Sequence, residues 1–301
     1  LLSPDALPEG VDDALVPVSR NYANEQPVSD ETFRIYRSLF SYDKTKLDAR
    51  IDATDDSDKQ WRKEKISFNA AYGNERMAAY LFLPKKFSAP YQAVIFFPGA
   101  GAQRQPSSER LGGMPLVNLV VGSGRAFVYP VYKGTHERGF EQQVRASVFG
   151  GASARRDYVV QLSKDLGRTI DYLETRQDMR SDKLGYMGSS WGAAMGGLLP
   201  ALESRLKVNV LIIGGFYRGT TLPEADQINF APRITIPSLM LNGRYDFTFP
   251  LESSQRPMFR LLGAPPEHKR HVLFDSGHAL TADQIAKEVV AWLDRYLGPV
   301  K

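Results

Sequence analysis

The rhythm of polar and apolar residues changes near residue 60 of this 301-residue chain. Before that point, "LLSPDALPEGVDDALVP" is proline-rich and acidic and carries no apolar period. "VSDETFRIYRSLFSYD" predicts one short helix, because Phe33, Tyr36, Leu39 and Phe40 recur at helical spacing and Ser29 or Asp30 can cap it. "DATDDSD" then reads as a solvated acidic loop. From Trp61 onward strands and helices alternate. "EKISFNAAYGNERMAAYLFLP" predicts a hairpin that turns near Tyr72 to Glu75. Short, nearly continuous apolar runs follow at 94–99, 126–132, 184–188, 210–215 and 238–243, with one more at 271–277. Runs of this kind suit parallel strands covered on both faces.

Helical patterns lie between the runs. The clearest spans 157–176, with Val160, Leu162, Leu166, Ile170 and Leu173 toward one side, and the last spans 282–298, with Ile285, Val289, Trp292, Leu293 and Tyr296 on one face. This alternation implies an α/β fold. Its central sheet is mostly parallel and led by an antiparallel hairpin, with helices on both faces. The expected organisation is a short extension over residues 1–60 and one α/β domain over 61–301. Two irregular stretches, 134–154 and 216–233, fall between a strand and the next core element, where loops that shape pockets arise.

Charge and composition narrow the function classes. The excess of 38 basic over 34 acidic residues is small and scattered, with no dense Lys/Arg run, which argues against a nucleic-acid partner. No apolar run reaches the ~18 residues of a membrane span. With no cysteine, disulfides, thiolate metal sites and a thiol nucleophile all drop out. The chain starts at Leu1 without an initiator Met or a leader pattern, so it reads as a processed or excised piece.

Candidate chemistry centres on "KLGYMGSSWGAAMGG", residues 183–197. Its G-x-S-x-G pattern fits one frame only, with Ser190 central, a strand before it and a small-residue helix start after it. In a nucleophile elbow the flanking glycines let the chain double back without a clash, and the helix start favours developing negative charge. A serine needs a base. Of the four histidines, His278 follows the last strand and precedes the last helix. His268 and His271 lie in "PEHKRHV", which reads as a solvated strand entry, and His136 reads as a surface or pocket-rim residue. The H-x-x-H spacing of His268 and His271 has no acidic or third ligand nearby, so no metal is expected.

The base needs a carboxylate to orient its ring. Asp246 follows "LMLNGRY" directly after a buried strand, with Asp275 and Asp226 as rivals. The chain order Ser190, Asp246, His278 is the order used by α/β-hydrolases and by neither of the other two common serine triads. An oxyanion hole would take one donor from the Trp191 amide and another from "PGAGA" (98–102), at Ala100 or Gly101. Tyr132, Phe216, Tyr217, Phe247 and Phe249 fall near the sheet's functional edge and are candidates for the pocket wall, alongside Trp191.

With "FFPGAGA", "GYMGSSWGAAMGG", "LMLNGRYDFTFP" and "SGHAL" in this order, the chain resembles the α/β-hydrolase superfamily over about residues 62–298, and within it the dienelactone-hydrolase and acetyl-xylan-esterase-like branch. Phrases such as "YPVYKGTHERG" and "KDLGRTIDYLETR" are similar to hydrolase domains at the C-terminal end of some bacterial serine/threonine-kinase chains, which implies a tethered kinase in a longer parent. Two departures stand out. Pro98-Gly99 replaces the usual His-Gly of the oxyanion loop, and serine stands where many dienelactone hydrolases use cysteine, favouring ester over dienelactone chemistry. The expected activity is a cofactor-independent serine carboxylesterase for small acyl or aryl esters. A peptidase of the prolyl-oligopeptidase type and a non-catalytic ligand-sensing module are the alternatives.

Overall fold

Within the run Tyr91–Phe97, Ala93, Ile95 and Phe97 join one apolar cluster while Val94 and Phe96 join another. A period of two with no polar partner makes a strand buried on both faces, and that is how the centre of this sheet is built. The computed structural model describes residues 20–139, 151–219 and 221–300. The proline-rich stretch 1–19 and most of the glycine-rich loop, 140–150, lie outside them.

The sheet has nine strands: β1 (Arg50–Asp55), β2 (Trp61–Asn69), β3 (Arg76–Pro84), β4 (Tyr91–Phe97), β5 (Ala126–Pro130), β6 (Met179–Ser189), β7 (Leu206–Ile212), β8 (Ser238–Gly243) and β9 (Lys269–Phe274). They run in the order β1-β2-β3-β5-β4-β6-β7-β8-β9. The pairs β1–β2, β2–β3 and β3–β5 are antiparallel, and every pair from β5 to β9 is parallel.

Helices cover both faces. On one lie α1 (Asp30–Ser38), α3 (Gly151–Glu174), the short α4 (Trp191–Met195) and α5 (Arg256–Leu261). Leu162, Leu166, Ile170 and Leu173 of α3 are buried there. The other face holds α2 (Met114–Gly122) and α6 (Ala282–Leu297), through Val117, Val120, Ile285, Val289 and Trp292. Buried Arg125 ties the end of α6 to the sheet, donating to Gln92 Oε1 (2.9 Å), Asp294 Oδ1 (2.6 Å) and the Gly298 carbonyl (2.8 Å). At its start, Thr281 and Gln284 form a capping box.

Residues 20–60 join this fold through α1 and β1. Ser29 caps α1, accepting from the Thr32 amide, and the Phe33 and Phe40 rings meet Phe230 edge-on at 5.2 and 5.5 Å. Leu39, named with them for its helical spacing, is the C-cap of α1 and 44% exposed. The acidic stretch expected as a loop begins inside strand β1, which pairs with β2. Open amides and carbonyls on the edge of β2 supply its partners. Its own side chains face water, with Ile51 56% exposed, so no apolar alternation marks it.

Candidate active site

Strand β6 ends at Ser189 and α4 begins at Trp191, leaving Ser190 as the whole turn, at φ 52° and ψ −109°. A positive φ is costly for a residue with a Cβ and persists only where its surroundings over-determine it. Here they do. The Ser190 amide donates to Ile212 O (2.8 Å), Gly192 N to Pro98 O (3.1 Å) and the Tyr186 hydroxyl to Gly192 O (2.7 Å). The two glycines are a steric requirement. A Cβ on Gly188 would stand 2.2 Å from Gly192 O, and one on Gly192 would stand 2.0 Å from Phe97 O. Both obstacles are backbone, so no rotamer change relieves them. Gly192→Ala is therefore expected to cost about 3 kcal/mol, the upper end of ordinary overpacking. Urea unfolding checks this against Gly101→Ala, where a Cβ meets nothing within 4 Å.

Three parallel strands then bring three side chains together at their C-terminal ends. Ser190 follows β6, Asp246 lies just beyond β8 and His278 just beyond β9. Ser190 Oγ is 2.8 Å from His278 Nε2, and His278 Nδ1 is 2.7 Å from Asp246 Oδ2. Asp246 is only 2% exposed. Its other oxygen accepts from the amides of Thr248 (2.8 Å) and Phe249 (3.0 Å), so the carboxylate is held from behind. In this arrangement Nδ1–H donates to the carboxylate and Nε2 is left to accept from the serine hydroxyl. The rival carboxylates are engaged elsewhere: Asp275 pairs with Arg244 at the surface (2.6 Å), and Asp226 with Arg20 (2.7 Å).

The loop after β4 packs against the serine, with a hypothetical Gly99 Cβ 3.5 Å from Ser190 Cβ. Ala100, Ser190 and Trp191 line one cavity, whereas Gly101 lines a separate pocket beside Ser189. Among the described residues neither the Ala100 nor the Trp191 amide has a backbone acceptor.

That cavity encloses about 270 Å³. Tyr158, Val159 and Leu162 of α3 form one wall, and Trp191, Met195 and Phe249 form another. Of the aromatic residues expected to line it, Tyr217, Phe249 and Trp191 do so. Tyr132 and Phe216 are fully buried elsewhere in the core, Tyr132 stacked on Phe97 (4.1 Å) and Phe216 against Tyr22 (4.8 Å). Phe247 is 89% exposed and lines no part of it. Near neighbours take the cavity positions instead, Tyr217 beside Phe216 and Phe249 two residues after Phe247. Sequence reasoning missed Tyr158, Val159 and Leu162, which share the apolar side of α3 with its core residues. It also missed Arg20 and Tyr22, which carry no periodic signal.

The remaining histidines are structural. His136 is not a rim residue: it is 1% exposed at φ 50°, with Nδ1 3.2 Å from the Ser107 carbonyl, and burial lowers its pKa. His268 Nδ1 lies 3.1 Å from the Tyr296 hydroxyl. His271 Nε2 lies 3.1 Å from Asn242 Oδ1, and burial, helped by the Arg256 charge, lowers its pKa to about 4. Among the described residues no group of three or more His, Asp or Glu side chains could hold a metal. His271 gives a pH signature. The unfolded chain protonates it near 6.5 and the folded one only near 4, so its contribution to stability is full above 6.5 and lost as pH falls toward 4. The loss is on the order of 2 kcal/mol, allowing for partial exposure. Unfolding midpoints of the wild type and His271→Gln are expected to converge across that window on acidification.

A mostly parallel sheet whose strand-to-helix turn holds a serine at positive φ is the architecture of the α/β-hydrolases, and this chain is one. More narrowly, it belongs to the dienelactone hydrolase family, whose model matches residues 77–292, and it is a carboxylic ester hydrolase. No curated protein matches the sequence. Among solved structures, acetyl xylan esterase 1 from Thermoanaerobacterium sp. JW/SL YS485 is similar at 16% identity, covering 92% of this chain and 96% of that one, with a TM-score of 0.71. Acetyl xylan esterase from Paenibacillus sp. R4 is similar at 17% identity, with 90% and 96% covered and a TM-score of 0.69. A cold-adapted esterase from an Arctic intertidal metagenomic library is similar at 20% identity, with 84% and 100% covered and a TM-score of 0.62. At these identities the likeness concerns the fold. Among the described residues no helix is long and apolar enough to cross a membrane.

Proposed function

We propose that this chain is a serine carboxylesterase for small acyl or aryl esters, working through an acyl-enzyme on Ser190. The observation that carries the reading is the continuous path from Ser190 Oγ through His278 to Asp246, with the serine lining a mainly apolar cavity. His278 Nε2 takes the hydroxyl proton as Oγ attacks the ester carbonyl, and Asp246 holds the ring in the tautomer that leaves Nε2 able to accept it. The amides of Trp191 and Ala100 receive the oxyanion, each such donor being worth about 3–4 kcal/mol in the transition state. The alcohol then departs with the proton from His278. Water, deprotonated by the same nitrogen, attacks the acyl carbonyl and frees the acid and the serine.

The cavity supports small acyl groups, since about 270 Å³ lies at the low end of the roughly 300–1,000 Å³ of ligand pockets. The acetyl xylan esterases among the similar structures add weight to a short acyl group. Hydrolysis of p-nitrophenyl acetate and butyrate, compared with peptide anilides, tests the proposal. Turnover of the esters, with an alkyl phosphonate found on Ser190 by mass spectrometry, supports it. Cleavage of the anilides alone points to a peptidase, and stoichiometric binding without turnover points to a sensor.

A further inference from the structure

Part of the cavity wall comes from a segment remote in sequence from everything else around it. Arg20 and Tyr22 line the Ser190 cavity on one side. On the other they line a separate surface groove of about 500 Å³, together with Glu252, Arg256 and Arg260. The two side chains thus stand between the Ser190 cavity and the groove.

The partition is built and fixed at several points. Tyr22 is 2% exposed, its ring packs on Phe216 at 4.8 Å, and its hydroxyl donates to the Tyr217 carbonyl. The guanidinium of Arg20 lies 4.5 Å over the same ring, pairs with Glu25 and reaches Asp226 at 2.7 Å. From the groove side, Arg260 donates to the Tyr22 carbonyl (2.9 Å). Downstream, Asn229 Oδ1 accepts from the Val28 amide (2.9 Å), and Arg233 donates to the Val28 carbonyl (2.7 Å). Arg20 and Asp226 form a largely buried ion pair in the lining of a mainly apolar chamber that also carries Gln103, Arg155 and Gln227. A methylene chain long enough to reach that pair would have to displace groups that lose their charge partners if separated.

We infer that Tyr22, with Arg20 laid over it, sets the length of acyl chain that the site accepts. This rests on the esterase reading above. Removing the Tyr22 ring takes away both the wall and the surface on which Arg20 lies, joining the chamber to the groove.

The test is a chain-length profile on p-nitrophenyl esters from acetate to decanoate. The wild type is expected to fall steeply beyond short chains. Tyr22→Ala is expected to raise the decanoate-to-acetate ratio of kcat/KM by about tenfold or more, given that even single methylenes discriminate by that order in apolar pockets. A ratio is insensitive to the fraction of enzyme folded. Phe40→Ala controls for loosening of the same region, because Phe40 is buried against Phe230 and lines no part of the chamber; it is expected to keep the wild-type ratio. A wild-type ratio in folded Tyr22→Ala, or the same rise in Phe40→Ala, overturns the inference. A second readout needs no turnover: decanoate binding by calorimetry to Ser190→Ala, with and without Tyr22→Ala. About tenfold tighter binding by the double variant supports the partition even if no ester is hydrolysed, in which case the esterase reading alone falls. Equal binding by the two overturns the partition.

Discussion

Ser190→Ala is expected to lower kcat on p-nitrophenyl acetate by on the order of 10⁵–10⁶-fold, with the unfolding midpoint little changed. The size follows from how the three side chains depend on one another. Without Oγ there is no covalent route, so His278 and Asp246 have nothing to activate but water. What survives is binding and polarisation by the oxyanion donors. The neighbouring serine gives the matching negative result. Ser189 is the last residue of β6 and lines a different pocket from Ser190. Ser189→Ala is therefore expected to keep activity close to wild type. Steady-state rates and urea midpoints for the two variants decide the matter, and equal hydrolysis by the wild type and Ser190→Ala would remove the serine-esterase reading altogether.

Asp246→Asn is expected to reduce kcat by about 10⁴-fold while leaving the fold intact. The geometry explains why so conservative a change costs so much. Oδ1 of Asp246 accepts two backbone amides, from Thr248 and Phe249, and an asparagine oxygen can keep both. That choice turns the new NH2 group toward His278 Nδ1, which must then accept instead of donate. The ring proton moves to Nε2, the nitrogen that faces Ser190 Oγ at 2.8 Å, and the base can no longer accept the serine proton. Nitrogen NMR of the imidazole reports the tautomer directly, alongside kcat. A variant that keeps Nδ1 protonated and wild-type turnover would show that Asp246 plays no orienting part.

Much of this was legible in the sequence, for physical reasons that can be located. The central strands announce themselves because a strand covered on both faces must be apolar at every position, as "AVIFF" is. The elbow announces itself because backbone crowding at Gly188 and Gly192 admits no side chain. What stayed hidden has equally local causes. Strand β1 is held by the backbone of β2 and shows water both its faces, so its residues carry no hydrophobic period. Phe216 and Tyr217 are adjacent, yet one is core and the other lines the cavity, a distinction made by side-chain direction alone. Tyr22 is a single anchor in a polar segment, and its hydroxyl finds a partner 195 residues away. No window of sequence contains both ends of that contact.

The placement of His278 also bears on how the chain acquires its chemistry. Ser190 and His278 are 88 residues apart, and His278 follows β9, the edge strand and the last of the nine in chain order. Such non-local pairings are the slow step of assembly, because closing long loops comes before any contact rewards it. A chain that has completed β4, β6 and the strained serine turn thus still lacks the base of the proposed triad. On the proposed mechanism the nucleophile therefore stays unactivated until β9 and the turn that carries His278 have joined the sheet.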